Sequence, residues 1–231
     1  MSTFLQLCED VARESGAAGR APVSVVGQTG RAAKVVDWVR DAWIEIQNQR
    51  DSWSFLQGEW TGTLTPGTAV YTAASFEIPR FARWGGDTPV SRSVTLRDPD
   101  QDAGQEAPIT QLTDPDWRRR YFVGAHAQGR PVHYAILPDD SIAFGATPDK
   151  AYLMRGEYRK SPQILEANGD IPDMPERFHR AIVWQAIMFM AEHDEGAFAI
   201  QTAQRRLNPI MHQMHRDLLP RMTFSAVRPL A

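Results

Sequence analysis

Three short stretches carry residue types at spacings that chemistry uses. Gly27-Gln28-Thr29-Gly30-Arg31 leads two glycines into a helical pattern, as loops that cradle phosphate do. A P-loop, however, needs G-x-x-x-x-G-K-[ST], and a dinucleotide loop needs G-x-G-x-x-G. Here the glycines are three apart, Arg31 follows, and neither pattern is completed. The stretch therefore predicts a loop with Thr29 as the cap of a helix, a bond worth about 1 kcal/mol. Glu176 and His179 are three apart, the spacing of carboxylate-bridged di-metal bundles, but the second Glu-x-x-His that such a site needs is missing. His212 and His215 share that spacing beside Asp217, yet no HExxH accompanies them, and Met211 and Met214 belong to an apolar stripe.

Nucleophilic catalysis finds little support. There is no G-x-S-x-G turn, and the single cysteine, Cys8, lies on the stripe Phe4, Leu7, Cys8, Val11, where it serves as a small apolar side chain. Paired carboxylates for glycoside chemistry stay open, because sequence spacing says nothing about spacing in space. A metal- or carboxylate-dependent hydrolase is thus the alternative reading. The leading expectation is a protein without catalytic residues, metal or cofactor.

The elements that position these residues fall into three blocks. Helical patterning is confined to the two ends of the 231-residue chain. Ser2-Thr3 caps a first helix that runs to about Ser15 and stops at Gly16-Ala17-Ala18-Gly19. The second starts after Thr29 and carries Val35, Val36, Val39, Ala42, Trp43 and Ile46 within roughly 100° of arc. Asp173 and Glu176 predict a capping-box start for the apolar helix around AIVWQAIMFMA. The last helix is marked by Ala203, Leu207, Ile210, Met211, Met214 and Leu218, and Pro209 should kink or divide it.

Between the ends, EWTGTL, AVYTAASFEI, VSRSVTL, PVHYAIL, SIAFGAT and AYLMRGEYRK read as strands, while 97–107 (RDPDQDAGQEA) reads as an exposed loop. The predicted fold class is α+β: a bundle of about four helices built from 1–57 and 165–218, a β-rich module at 58–164, and an extended C-terminal arm at 219–231.

With 42% hydrophobic and 23% charged residues, the composition is that of a globular chain. A net charge of −3 supplies no basic excess to drive binding to a nucleic-acid backbone. AIVWQAIMFMA is shorter than the ~20 apolar residues a bilayer span needs, and no secretory signal opens the chain, so synthesis in the cytoplasm is expected. Seven tryptophans are many for this length. Trp38 sits on the flank of its helix, and Trp117 precedes the one tight basic run, Arg118-Arg119-Arg120. These five residues are the candidates for subunit contacts, since interfaces favour tryptophan and arginine.

The order of these parts resembles the head-to-tail adaptors (connectors, or tail accessory factors) of short-tailed bacteriophages. The resemblance is carried by TFLQLCEDVARESG, SVVGQTGRAAKVVDWVRDAWIEIQNQRDSWSFLQGEW, RPVHYAILPDDSIAFGATPDKAYLMRGEYRKSPQIL, DIPDMPERFHRAIVWQAIMFMAEHDE and DLLPRMTFSAVRPLA. It spans nearly the whole chain and is less exact from about Phe76 to Pro108. It implies a helical bundle with an inserted β-domain, and a dodecameric ring in the virion. That ring lies under the portal at the head–tail junction, and DNA passes through its lumen without sequence-specific binding. It also implies partners: further copies of the chain, the portal protein, and a tail nozzle or other tail protein. No membrane partner is implied. The C-terminal segment would grip the portal through Leu218, Leu219, Pro220, Phe224, Val227, Pro229 and Leu230.

Overall fold

The computed structural model describes residues 1–16, 21–85, 94–124, 127–194 and 196–220. The chain divides into two compact units, one formed by 1–56 with 162–231 and the other by 57–161. The described residues hold five α-helices and an eight-stranded mixed sheet that curls into a half-barrel. The expected fold, a bundle of about four helices with an inserted β-rich module and an extended C-terminal arm, is thereby corrected: five helices accompany a large eight-stranded half-barrel, and the chain is not a four-helix bundle.

The first unit contains α1 (Phe4–Ser15), α2 (Gly30–Asn48), α4 (Arg180–His193) and α5 (Ala197–Leu218). Thr3 caps α1 with a full capping box: its hydroxyl accepts from Gln6 N, and the Gln6 side chain accepts from Thr3 N at 2.9 Å. α4 packs against α1, α2 and α5, and its apolar side chains are buried on several sides. Trp43, Trp53, Phe4 and Phe178 are the largest side chains in this core. Cys8 lies among them, and burial pushes its thiol up to about 12, which leaves it un-ionised and inert.

Buried amides fasten the following segment to α2. The Gln47 side chain accepts from Gln163 N at 2.7 Å and donates to Gln163 O at 3.0 Å, while Trp43 Nε1 donates to Gln163 Oε1 at 3.1 Å. These bonds satisfy polar groups that would otherwise be costly to bury.

Two local expectations differ from the structure, and of the two outcomes expected at Pro209 one is excluded. Thr29 precedes α2 with extended backbone, but its side chain makes no cap bond. α4 begins only at Arg180, after a 3-10 turn over Glu176–Phe178 that has no side-chain cap. α5 runs through Pro209 undivided. Pro209 and Arg205 both lie on its exposed side, where water can serve the carbonyl that proline leaves without a partner.

The second unit contains β1 (Gln57–Thr63), β2 (Val70–Tyr71), β3 (Phe81–Trp84), β4 (Val94–Arg97), β5 (Ala107–Gln111), α3 (Asp114–Trp117), β6 (His133–Ile136), β7 (Ile142–Gly145) and β8 (Leu153–Lys160). The strand order is β1-β8-β4-β5-β6-β7-β2; β3 and β4 both pair with β8, on successive stretches of it. Only β5 and β6 run parallel among these pairs. Two strands escape a reading of sequence. β3 is four residues long, and β5 carries Pro108, a residue that ordinarily argues against a strand.

Rings over glycines pack this sheet. Tyr158 lies opposite Gly58 and Trp60 opposite Gly156 in the β1–β8 ladder. A Cβ on Gly58 would meet the Tyr158 ring at 2.5 Å, and one on Gly156 would meet the Trp60 indole at 2.8 Å. The Trp60 ring continues into contacts with Phe76 (4.9 Å) and Trp84 (5.2 Å), and Phe76 with Tyr71 (5.3 Å). Glycine opposite an aromatic ring is a device that pins register, because only that alignment leaves space for the ring.

Candidate docking surfaces

The Trp117–Arg120 segment lies in the sheet unit. Thr113 caps α3, its hydroxyl accepting from Asp116 N at 3.3 Å, and Pro115 fits the first turn. The helix continues as a π turn over Arg118–Phe122. Trp117 is buried against Ala135 and Ala143, and its indole N–H has no partner among the described residues. Arg118 Nε donates to Asp114 Oδ1 at 2.7 Å, and Arg119 pairs with Asp116 at 3.2 Å. Arg120 lies over the Tyr121 ring, whose hydroxyl meets His133 Nδ1 at 2.6 Å. Burial first, and the charge of Arg120 second, hold the His133 imidazole below its ordinary range.

The basic run is thus a turn with two of its charges matched by Asp114 and Asp116. Next to it stand Phe122 and Val123, 67% and 68% exposed. Sequence reasoning passed over both, although apolar residues directly behind three arginines are the signal that marks them. Large apolar side chains in solvent beside arginine are the composition of protein interfaces.

Trp38 lies in the helical unit and is half-buried against its core. Arg31 stacks over its indole at 4.9 Å, and His193 meets it edge-on at 5.5 Å. Arg31 in turn grips Asp194 with both terminal nitrogens, Nη1 to Oδ1 at 2.8 Å. That guanidinium, then His193, holds the Asp194 carboxyl far below the usual carboxylate range. The start of α2 is therefore tied to the end of α4, and Arg31 of the GQTGR stretch makes the tie.

Of the arm residues, Leu218 is buried in the core of its own unit, Leu219 packs partly against it, and Pro220 is exposed. A groove at this point is lined by Arg177, Arg216, Asp217 and Leu219, with Asp217 bound by Arg216 at 3.0 Å and Arg177 at 3.6 Å. Phe224, Val227, Pro229 and Leu230 lie outside the described residues.

The histidines with metal-like spacing occupy separate surroundings. His179 is buried with Nε2 on Met174 O at 3.0 Å, and burial lowers its affinity for a proton. Glu176 bonds the N-terminal ammonium at 2.6 Å. His215 stacks on Trp53 at 5.4 Å, whereas His212 is exposed. Among the described residues no three His, Cys, Asp or Glu side chains gather as metal ligands would, and no helix is long and apolar enough to cross a membrane.

Among these surfaces, exposed Phe122 and Val123 beside the arginine turn have the composition that protein contacts favour. The family of SU10 adaptor proteins matches residues 2–229, and the chain belongs to that family. It is a bacteriophage structural adaptor, a component of tail assembly that interacts with other head and tail proteins in the virion. No curated protein matches the chain.

Proposed function

We propose that copies of this chain close into a ring, dodecameric as the adaptor resemblance implies, which joins the portal to the tail and encloses the DNA channel. The family match over 2–229 carries this reading. A closed ring uses a heterologous contact, one surface of a subunit against a different surface of its neighbour. Trp38 and the Trp117–Arg120 turn are assigned to that contact, with Phe122 and Val123 extending the second surface. The net charge of −3 suits a lumen that DNA slides through without sticking.

The portal grip is assigned to the C-terminal arm. Leu218 fixes its root, and Leu219, Pro220, Phe224, Val227, Pro229 and Leu230 are its contacts. Four of these apolar residues fall in the last eight positions of the chain, a composition that favours burial by a partner. The test is deletion of 223–231, followed by electron microscopy of the truncated protein mixed with portal. Stacked rings form with the full chain and are expected to vanish with the truncation, while the helix content is unchanged. Stacked rings with the truncated chain would refute the arm assignment.

A further inference from the structure

We infer that the outer edge of β1 receives an extended peptide strand from a partner protein, one that carries a carboxylate opposite Thr61. The orientation of the β1 backbone follows from two bonds. Leu64 N donates to Tyr152 O at 2.9 Å directly beyond the Thr63–Leu153 pair. Hydrogen-bonded pairs alternate along an antiparallel ladder, so Gly62, Trp60 and Gly58 also face β8 with their peptide groups. Gly85 N donates to Glu157 O at 2.8 Å, which turns that carbonyl toward β3 and away from its β1 partner Glu59. The N–H and C=O groups of Glu59, Thr61 and Thr63 therefore point outward. All three residues are exposed, and among the described residues β1 pairs with no strand but β8.

A seven-residue edge of this kind is a template for one more strand. Natural edges are commonly blunted by proline, lysine or a bulge, and β1 has none of these. Its solvent face carries Thr61 and Thr63, β-branched residues suited to a paired strand.

Charge names the occupant. Thr61 and Thr63 border a shallow groove of about 620 Å³, shared with Leu153 and Arg155 of β8, Arg97 of β4 and Glu106. Arg155 stands opposite Thr61 and is exposed; neither it nor Arg97 has a carboxylate partner among the described residues. An added strand would lie about 5 Å beyond β1, hence about 10 Å from β8. An extended arginine can reach over the short Thr61 side chain to a carboxylate at that distance. A register shifted by two residues would set the same carboxylate either against Glu59 or against Thr63, which faces Leu153 and not Arg155, so the charges also select the alignment.

The test titrates the full-length chain with a short capped peptide of alternating valine and threonine bearing one central glutamate. A second peptide has lysine in that place. Amide hydrogen exchange is read residue by residue. The glutamate peptide is expected to slow exchange at Glu59, Thr61 and Thr63 by about tenfold or more, and the lysine peptide to do markedly less. Arg155→Glu should reverse that preference. Thr61→Pro removes one outward N–H and should abolish protection, while exchange at Trp60 and Gly62 stays as it was. Equal protection by both peptides, or by neither, overturns the inference. So does protection that grows with protein concentration alone, which would make a second copy the occupant.

Discussion

In the helical unit the core is built from helix stripes rich in aliphatic side chains, and its two fully buried tryptophans find polar partners for their indole nitrogens. Trp43 bonds Gln163, and Trp53 donates to Ile46 O at 2.9 Å. In the sheet unit the rings stack on one another and lie over glycines; Trp84 donates to Asp140 O at 2.6 Å, but the indole nitrogens of Trp60 and Trp117 go unpartnered among the described residues. The first kind of core should be most sensitive to lost volume, because each large buried side chain that is removed leaves a cavity. The second should be intolerant of even one methyl group, because a ring already fills each space.

The largest effect should come from emptying the helical core. Trp43→Ala removes a fully buried side chain and one of the two donors to Gln163 Oε1, the other being Asp173 N, at a cost of about 3–5 kcal/mol. Denaturant unfolding would register it, and a loss below 1 kcal/mol would mean that the core collapses into the space. Next in size is the sheet unit's response to an addition. Gly156→Ala should cost about 1–3 kcal/mol, since Trp60 is hemmed in by Phe76 and Trp84 and cannot withdraw. A neutral outcome would show that the rings yield, and the contrast between the cores would fail.

The smallest expected effect distinguishes the units by pH. His179 and His215 in the helical unit, and His133 in the sheet unit, are all held below their ordinary range, with burial the first cause in each. Below a pH of about 6.5 the unfolded chain therefore binds more protons than the folded one. The contribution of neutral histidine is complete above that pH and declines as pH falls below it toward the lower folded values. Amide exchange at pH 7.5 and 5 should show the helical unit loosening more than the sheet unit; the reverse order would break the comparison.

The same contrast explains what could be read from sequence. α1, α2 and α5 follow from stripes and, for α1, from its Thr3 cap, all of which are local. β3 and β5 exist because β8 and β4 offer edges to them, which no local pattern announces. Trp38 and Arg118–Arg120 stand out by residue type. Their partners do not: Asp194 is 163 positions from Arg31, and only the fold brings it to the Trp38 cap. The arginine run looks uniformly available until α3 turns Asp114 and Asp116 toward it. Whether β1 is an edge or an interior strand is likewise a matter of topology, and its sequence is silent on the question.

The sheet unit leaves the rest of the chain at Gln57 and returns beside it, and Gln57 pairs with Arg159 at the same end of one antiparallel ladder. A pull transmitted through the two connections would therefore load the β1–β8 bonds one at a time, as a zipper is opened, instead of all together in shear. The Gly58–Tyr158 and Trp60–Gly156 pairs are the next teeth in line, and their interlocked rings are where such peeling would first meet resistance.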